Sequence, residues 1–175
     1  IDGDCMRVLA GIAGLSVVGN APEVAATISS KINNLPTRAI TDSLLALYNG
    51  LEGDDGAVVI AGTGSVFNGL QDGHLISVGG YGNILGDEGS GYAIAVTAMK
   101  SALLSWDKRE DNALIPMFTK LFGVEHMDDC NAKFYRMANP EVAGMAVHVA
   151  KLADSGDKDA TSVIKDQAHL LARDI

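Results

Sequence analysis

Two glycine-rich segments constrain this chain more than any other part of its sequence. Residues 79–91 read GGYGNILGDEGSG, with six glycines in thirteen positions, and residues 62–65 read GTGS. Glycine costs backbone entropy, so it is kept where φ must be positive or where another group comes close to the main chain. Starting one helix does not require six glycines. Because the two segments flank a strand-like stretch, they predict one site of backbone N–H groups that binds a polar, phosphorylated ligand.

Composition argues against several classes of function. The 175 residues suffice for one sizeable core or two small lobes. The net charge of −9 argues against nucleic-acid binding, which requires lysine and arginine to neutralise phosphates. No apolar run approaches the roughly 20 residues that span a bilayer, so no membrane partner is expected. Cys5 and Cys130 are isolated and lack metal-site spacing, which predicts a cytoplasmic protein and no metal-binding residues.

The first part of the chain alternates between strand and helix patterns, which is typical of α/β layering. Asn20 and Glu23 have the spacing of a capping box at the start of the first helix, and 11–14 is expected to be a glycine turn. The expected elements are a strand at 6–10, a helix at 21–33, a strand at 38–40 and a helix at 41–50.

A polar turn at 53–56 predicts a boundary between two lobes. On this interpretation 1–52 is the end of an N-terminal lobe, and 53–175 is a C-terminal lobe. Within the second lobe 57–78 is expected to form strands, and Asp72-Gly73 is a hairpin signal. The expected strands are 57–61, 65–70 and 74–78.

The remainder, 89–175, is expected to be helical. One of its helices is expected to start at Pro140, with Asn139 as its N-cap. The sequence ends inside a helical pattern, so the second lobe is expected to be incomplete. The expected helices are 89–106, 113–121, 128–138, one from 140 and one from 157. In the first of them an apolar stripe predicts the buried face: Tyr92, Val96, Met99, Leu103 and Trp106.

Three groups of residues allow two interpretations each. Asp42 lies where a strand is expected to meet a helix, and a carboxylate there suits either an N-cap or a base for a substrate hydroxyl. From this residue alone the N-cap is favoured. The GTGS segment suits either a hairpin turn or an anion-binding loop, and it is neither a P-loop nor a dinucleotide fingerprint. Asp87 and Glu88 suit either stabilisation of a helix N-terminus or hydrogen bonds to sugar hydroxyls.

Together these features resemble the BadF/BadG/BcrA/BcrD ATPase family, and within it the N-acetylglucosamine kinases. The most specific block is GG-aromatic-G at 79–82 followed by LGDEGSGY at 85–92. The other matching blocks, in the family's order, are Gly11 to Leu15, Thr41-Asp42, Asp55-Gly56 and GTGS. The resemblance implies an α/β fold of the ribonuclease H-like (actin-like ATPase) type, present in part, with a helical C-terminal segment.

The resemblance also implies a reaction and a role for each matching residue. The reaction is ATP-dependent phosphorylation of a sugar hydroxyl, with O6 of N-acetylglucosamine as the first candidate and Mg²⁺ bridging the phosphates. Asp42 corresponds to the catalytic base, and Asp87 is the preferred ligand of the sugar hydroxyls. The expected phosphate-binding residues are Gly62, Thr63, Gly64 and Ser65. The expected sugar-binding residues are Gly14, Thr63, Gly80, Asp87 and Ser90.

Two alternatives to a sugar kinase remain open. One is an ATPase activator of a 2-hydroxyacyl-CoA dehydratase or an aromatic-CoA reductase, although Cys5 and Cys130 are not placed like the cysteines that hold the iron–sulfur cluster of such activators. The other is a sugar-sensing module without turnover. Glucosamine, N-acetylmannosamine and N-acetylmuramic acid are further candidate substrates. The apolar helical tail is of a kind that often supports a homodimer.

We expect the 175-residue chain alone to show little or no kinase activity. Two motifs that the resemblance implies are missing from it, a D-x-G-x-T phosphate hairpin and a C-terminal adenosine motif, and Tyr81 stands where many members have Trp. Sugar-dependent ATP turnover by the purified chain is the measurement, and robust turnover would contradict the expectation.

Overall fold

The computed structural model describes residues 5–15 and 19–173. Contacts divide the chain into two compact units, which are described separately. The first consists of 1–60 with 66–78, and the second consists of 61–65 with 79–175. The lobe boundary at residue 53 stays a prediction.

The first unit begins with two parallel strands and two helices. Strand β1 (Val8–Ile12) pairs with β2 (Thr37–Thr41) in a register that sets Ile12 opposite Thr41. Helix α1 (Ala21–Lys31) packs on β2, and helix α2 (Asp42–Leu51) packs on both strands. The predicted α/β alternation is therefore confirmed.

Two local predictions in this region differ from the structure. The predicted glycine turn at 11–14 is confirmed only at Ala13 and Gly14, since Gly11 lies inside β1, where Leu45 of α2 packs directly over it. A Cβ on Gly11 would lie 2.6 Å from Leu45 Cδ2, so the glycine permits close approach of the helix. The predicted capping box of α1 is absent, since the Asn20 side chain bonds to the Glu23 carboxylate and caps no helix N–H.

The three central strands form a sheet with β4 in the middle. They are β3 (Gly56–Ala61), β4 (Ser65–Gln71) and β5 (His74–Gly79), each within one residue of its predicted bounds. Asp72 and Gly73 have positive φ, 50° and 75°, as a two-residue type I′ turn requires. The hairpin prediction is therefore confirmed.

In the described part of the second unit, five helices pack against one long helix, α3. The six are α3 (Gly91–Lys108), α4 (Leu114–Phe122), α5 (Met127–Phe134), α6 (Asn139–Gly144), α7 (Ala146–Asp154) and α8 (Lys158–Arg173). No helix in the described chain is both long and apolar enough to cross a membrane.

The buried face of α3 differs from the predicted stripe. Of that stripe only Met99 is buried, and the other four members are half-buried at the border of the core. The positions without any exposure are three alanines, Ala95, Ala98 and Ala102. Because α3 has helices on several sides, small side chains occupy the positions where its neighbours approach most closely.

The single helix predicted from Pro140 is two helices, α6 and α7, which meet at Met145. The Met145 N–H bonds to the carbonyl of Val142, three residues back, at 3.0 Å. This bond tightens the chain directly after Gly144, a weak helix former, and interrupts the α-helical pattern.

The N-terminus of α6 and the C-terminus of α5 also differ from prediction. Ala138, not Asn139, is the N-cap of α6, and its N–H donates to the Glu141 carboxylate at 2.7 Å. Helix α5 ends at Phe134, after which the Met137 N–H bonds to the Phe134 carbonyl in a tighter turn.

Cys130 lies in the core around α3 and is fully buried. Burial raises the pKa of its thiol, and the neighbouring Asp129 carboxylate adds to the effect. A thiol with a raised pKa stays protonated at neutral pH and is a poor nucleophile. Cys130 is therefore a packing residue.

We expect Phe118→Ala to lower the free energy of unfolding by about 3–5 kcal/mol, because its fully buried ring would leave a cavity. Leu121→Ala on the same helix is the control: Leu121 is 39% exposed, so we expect a loss of only about 1 kcal/mol. Chemical denaturation measures both. Equal losses would contradict the burial difference.

Candidate functional site

The two glycine-rich segments pack against each other within the second unit, and Ser65 makes three of the hydrogen bonds between them. Its N–H donates to Asp87 Oδ1 at 3.1 Å, and its hydroxyl donates to the Glu88 carbonyl at 2.8 Å. Its own carbonyl accepts the Gly80 N–H at 3.0 Å. One buried serine thus links GTGS to both ends of the longer glycine segment.

The N-terminus of α3 bonds to the carbonyl groups of the GTGS loop. The Gly91 N–H donates to the Gly62 carbonyl at 2.7 Å, and the Tyr92 N–H donates to the Thr63 carbonyl at 3.4 Å. The first N–H groups of a helix have no partner inside the helix and carry its positive dipole end. Here loop carbonyls satisfy two of them.

This arrangement directs two other N–H groups away from the helix. In a trans peptide the N–H points opposite to the carbonyl, and the peptide bonds here are trans. Because the Gly62 and Thr63 carbonyls point at α3, the N–H groups of Thr63 and Gly64 point away from it. Neither has a hydrogen-bond partner among the residues that the structure describes. Two adjacent outward N–H groups in a glycine turn suit an anion.

Asp87 is held in an unusual backbone conformation beside this loop. Its φ is +66°, and the residue is only 8% exposed. The carboxylate lies against Gly64, where an added Cβ would be 2.8 Å from Asp87 Oδ2. Aspartate adopts the left-handed conformation more readily than most residues, as Asp72 does in the hairpin turn, so this conformation by itself does not mark a site. The predicted hydroxyl-binding role of Asp87 stays a prediction.

Ser90, another predicted sugar residue, has a structural role. It is fully buried, and its hydroxyl accepts the Ala93 N–H at 3.1 Å as the N-cap of α3. A sugar contact from Ser90 or from Gly80 stays a prediction.

Gly14 and Asp42 belong to the first unit and lie at one edge of its parallel strands. Gly14 follows β1 and Asp42 follows β2, and the paired residues Ile12 and Thr41 are the last residues of the two strands. In α/β sheets ligands bind at the carboxyl ends of the strands. Both residues are exposed there.

Asp42 is not the N-cap of α2. Thr41 has that role, because its hydroxyl accepts the Leu44 N–H at 3.2 Å. One Asp42 oxygen accepts the Ser43 N–H at 3.0 Å, and the other has no hydrogen-bond partner in the described chain. The capping interpretation of Asp42 is therefore wrong, and an exposed carboxylate oxygen is available.

The sequence indicates no individual role for Gly91, yet this glycine is where the start of α3 packs against the GTGS loop. A Cβ on Gly91 would lie 3.2 Å from the Gly62 carbonyl oxygen and 3.0 Å from the Ala143 carbonyl oxygen. The one signal in the sequence is that a glycine directly follows the serine N-cap of α3, a position at which helix initiation does not require glycine.

We expect Gly64→Ala to destabilise the second unit by about 1–3 kcal/mol, because the new methyl group would displace the buried Asp87 carboxylate. Gly62→Ala is the matched control in the same loop. Its Cβ would meet nothing within 4 Å, and its φ is not positive, so we expect a change within about 0.5 kcal/mol. Thermal unfolding of both variants is the measurement; a larger loss for Gly62→Ala would contradict the packing described.

Two crystal structures of candidate N-acetylglucosamine kinases have the same fold. The one from Chromobacterium violaceum superposes with a TM-score of 0.75 at 22% identity, over 94% of this chain and 57% of that chain. The one from Porphyromonas gingivalis gives 0.73 at 23% identity, over 93% and 56%. The predicted fold is therefore confirmed as ribonuclease H-like (actin-like ATPase), present in part, with a helical C-terminal segment.

Sequence comparison agrees with the fold. The N-acetylmuramic acid/N-acetylglucosamine kinase of Clostridium acetobutylicum is 36% identical over an alignment of 139 residues, and this alignment covers 75% of this chain and 44% of that protein. The chain thus spans less than half the length of this curated relative. The model of the BadF/BadG/BcrA/BcrD ATPase family matches residues 2–175. Because that match covers nearly the whole chain, the chain belongs to the BadF/BadG/BcrA/BcrD ATPase family.

Proposed function

We propose that this chain is the part of an ATP-dependent sugar kinase that holds the catalytic base, a phosphate loop and much of the sugar pocket. The reaction transfers the γ-phosphoryl group of ATP to O6 of N-acetylglucosamine. The observation that carries the proposal is the GTGS loop: the N–H groups of Thr63 and Gly64 point away from α3 and have no partner among the described residues, and the buried Asp87 carboxylate lies against Gly64.

The loop fits the phosphates of ATP. The outward N–H groups of Thr63 and Gly64 are donors for phosphate oxygens, and the exposed Thr63 hydroxyl is a third donor. Ser65 has a different role, because its N–H and hydroxyl are already bonded to the Asp87 segment. We therefore assign phosphate contact to Thr63 and Gly64, and support of the loop to Gly62 and Ser65.

Mg²⁺ would be held mainly by the phosphates themselves. The described residues contain no group of three or more His, Cys, Asp or Glu side chains suited to a metal ion. Mg²⁺ in phosphoryl-transfer sites keeps several waters and is bound through substrate phosphates with few protein ligands. When bound, the ion neutralises charge that develops on the phosphoryl oxygens.

Asp42 would act as the base. Its partnerless oxygen accepts the proton of the sugar hydroxyl while the hydroxyl oxygen forms a bond to the γ-phosphorus. The bond from that phosphorus to the bridging oxygen breaks, and ADP leaves with the electron pair. The Ser43 N–H fixes the other Asp42 oxygen at 3.0 Å, which orients the carboxylate without neutralising it. A positioned base contributes about 10²–10⁴-fold in rate.

Asp87 would bind the sugar hydroxyls. A carboxylate makes strong charge-assisted hydrogen bonds to hydroxyl groups, and the Ser65 N–H already orients this one. N-acetylglucosamine is the leading substrate. The C. acetobutylicum relative is named for both N-acetylmuramic acid and N-acetylglucosamine, so N-acetylmuramic acid is the second candidate. A panel of amino sugars with ATP distinguishes them.

We expect Asp42→Asn in the complete gene product to lower kcat by about 10²–10⁴-fold while sugar binding is retained. Asparagine keeps an oxygen for the Ser43 N–H but cannot take a proton, so the local structure is preserved. Coupled-assay kinetics give kcat, and titration calorimetry gives sugar affinity.

Asp54→Asn is the matched control, because Asp54 is an exposed aspartate of the same unit outside the proposed site. Its kcat should equal that of the wild type. An Asp42→Asn variant with full turnover would overturn the role of Asp42 as base. ATP turnover that needs no sugar would instead favour the ATPase-activator alternative, and sugar binding without turnover would favour the sensing module.

A further inference from the structure

Gln167, in the last helix α8, is buried and uses both ends of its side-chain amide. Its Oε1 accepts the Gly89 N–H at 3.0 Å, and its Nε2 donates to Thr97 Oγ1 on α3 at 2.9 Å. The residue is only 6% exposed. Glutamine is rarely buried, and a buried polar side chain is retained where its hydrogen bonds are satisfied. Gln167 thus connects α8, α3 and the LGDEGS segment.

Helix α8 also packs so closely on Gly89 that a side chain at this position would not fit. The φ of Gly89 is +75°, and an added Cβ would lie 2.7 Å from Leu171 Cβ and 3.2 Å from the Gln167 carbonyl oxygen. The segment therefore packs directly on one face of α8. Both the N–H and the α-carbon of Gly89 are held by the same helix.

Gly89 lies two residues after Asp87, whose backbone is in the left-handed conformation at a φ of +66°. A residue at positive φ keeps that conformation only when its surroundings determine it. On one side, the Ser65 N–H bonds to the Asp87 carboxylate at 3.1 Å. On the other side, the Ser90 N–H bonds to the Asp87 carbonyl at 3.1 Å, and the Gln167 side chain holds the intervening Gly89.

We propose that Gln167 is a positioning residue, which fixes Gly89 and thereby orients the Asp87 carboxylate for the sugar. The proposal rests on the proposed role of Asp87 as sugar ligand. Gln167 acts through the backbone of the LGDEGS segment and does not itself contact the substrate. Gln167 lies about eighty residues after that segment, and the sequence around it contains no motif that indicates this role.

The test is Gln167→Met in the complete gene product. Methionine has a similar shape but cannot accept the Gly89 N–H. We expect the KM for the sugar to rise about 2- to 10-fold, because orienting Asp87 when the sugar binds would then cost a free energy comparable to that of the lost Gly89 hydrogen bond. The kcat and the KM for ATP should stay within about twofold. Weaker binding in both the ground state and the transition state changes KM alone. Lys165→Met is the control, since Lys165 is exposed on the same helix.

Hydrogen exchange supplies a readout that does not depend on activity. In Gln167→Met the Gly89 amide should exchange at least about tenfold faster, while the Ile94 amide, bonded to the Ser90 carbonyl at 2.9 Å, should be unchanged. Thr97→Val is a milder second variant if Gln167→Met folds poorly. It removes only the partner of Nε2, so the sugar KM should rise about two- to fivefold.

The outcomes separate the two proposals. Lower thermal stability of Gln167→Met or Thr97→Val with an unchanged sugar KM would overturn the positioning role and leave the kinase proposal intact. Unchanged exchange at Gly89 would overturn it as well. A wild-type protein that neither binds nor phosphorylates any amino sugar would overturn the proposed function, and the positioning role with it.

Discussion

The bonds from the N-terminus of α3 to the GTGS carbonyls are the constraint on which the candidate site depends. A free helix N-terminus is itself an anion site. Here the Gly91 and Tyr92 N–H groups are bonded to the loop, so the helix dipole stabilises loop carbonyls instead of a ligand. The planar peptide then fixes the outward direction of the Thr63 and Gly64 N–H groups. On the proposed function, the loop therefore supplies the donors for an anion in place of the helix N-terminus.

The same helix connects the site to the core of the second unit. Ala95, Ala98 and Ala102 have no exposed surface, and the other helices of the unit pack on α3. The start of α3 is therefore held in place by packing at positions one to three turns further along. Because the interior is close-packed, a shift of α3 would require several helices to repack, so the loop is attached to the helix on which the other described helices of the unit pack.

Much of the fold, and the contact between the two glycine-rich segments, could be predicted from sequence because the signals are local. Hydrophobic periodicity and the Asp72-Gly73 turn located the three central strands to within one residue. The rest depends on tertiary context. Whether Thr41 or Asp42 caps α2 is decided by which of two adjacent residues adopts an extended backbone, and both types are good caps. Which residues of α3 are buried depends on how many helices surround it. The spacing of the apolar residues along the sequence does not give that number.

The glycines of the candidate site are needed for two different reasons, a positive φ or the lack of room for a side chain. Counting glycines in the sequence locates the candidate site but does not show which reason applies at each one. At positive φ an aspartate is tolerated, as Asp87 at +66° and Asp72 at +50° demonstrate. At Gly64 and Gly91 φ is not positive, and what excludes a side chain is a carboxylate or a carbonyl oxygen within about 3 Å of the Cβ position. Only the second kind marks where one segment occupies the space that a side chain of the other would need.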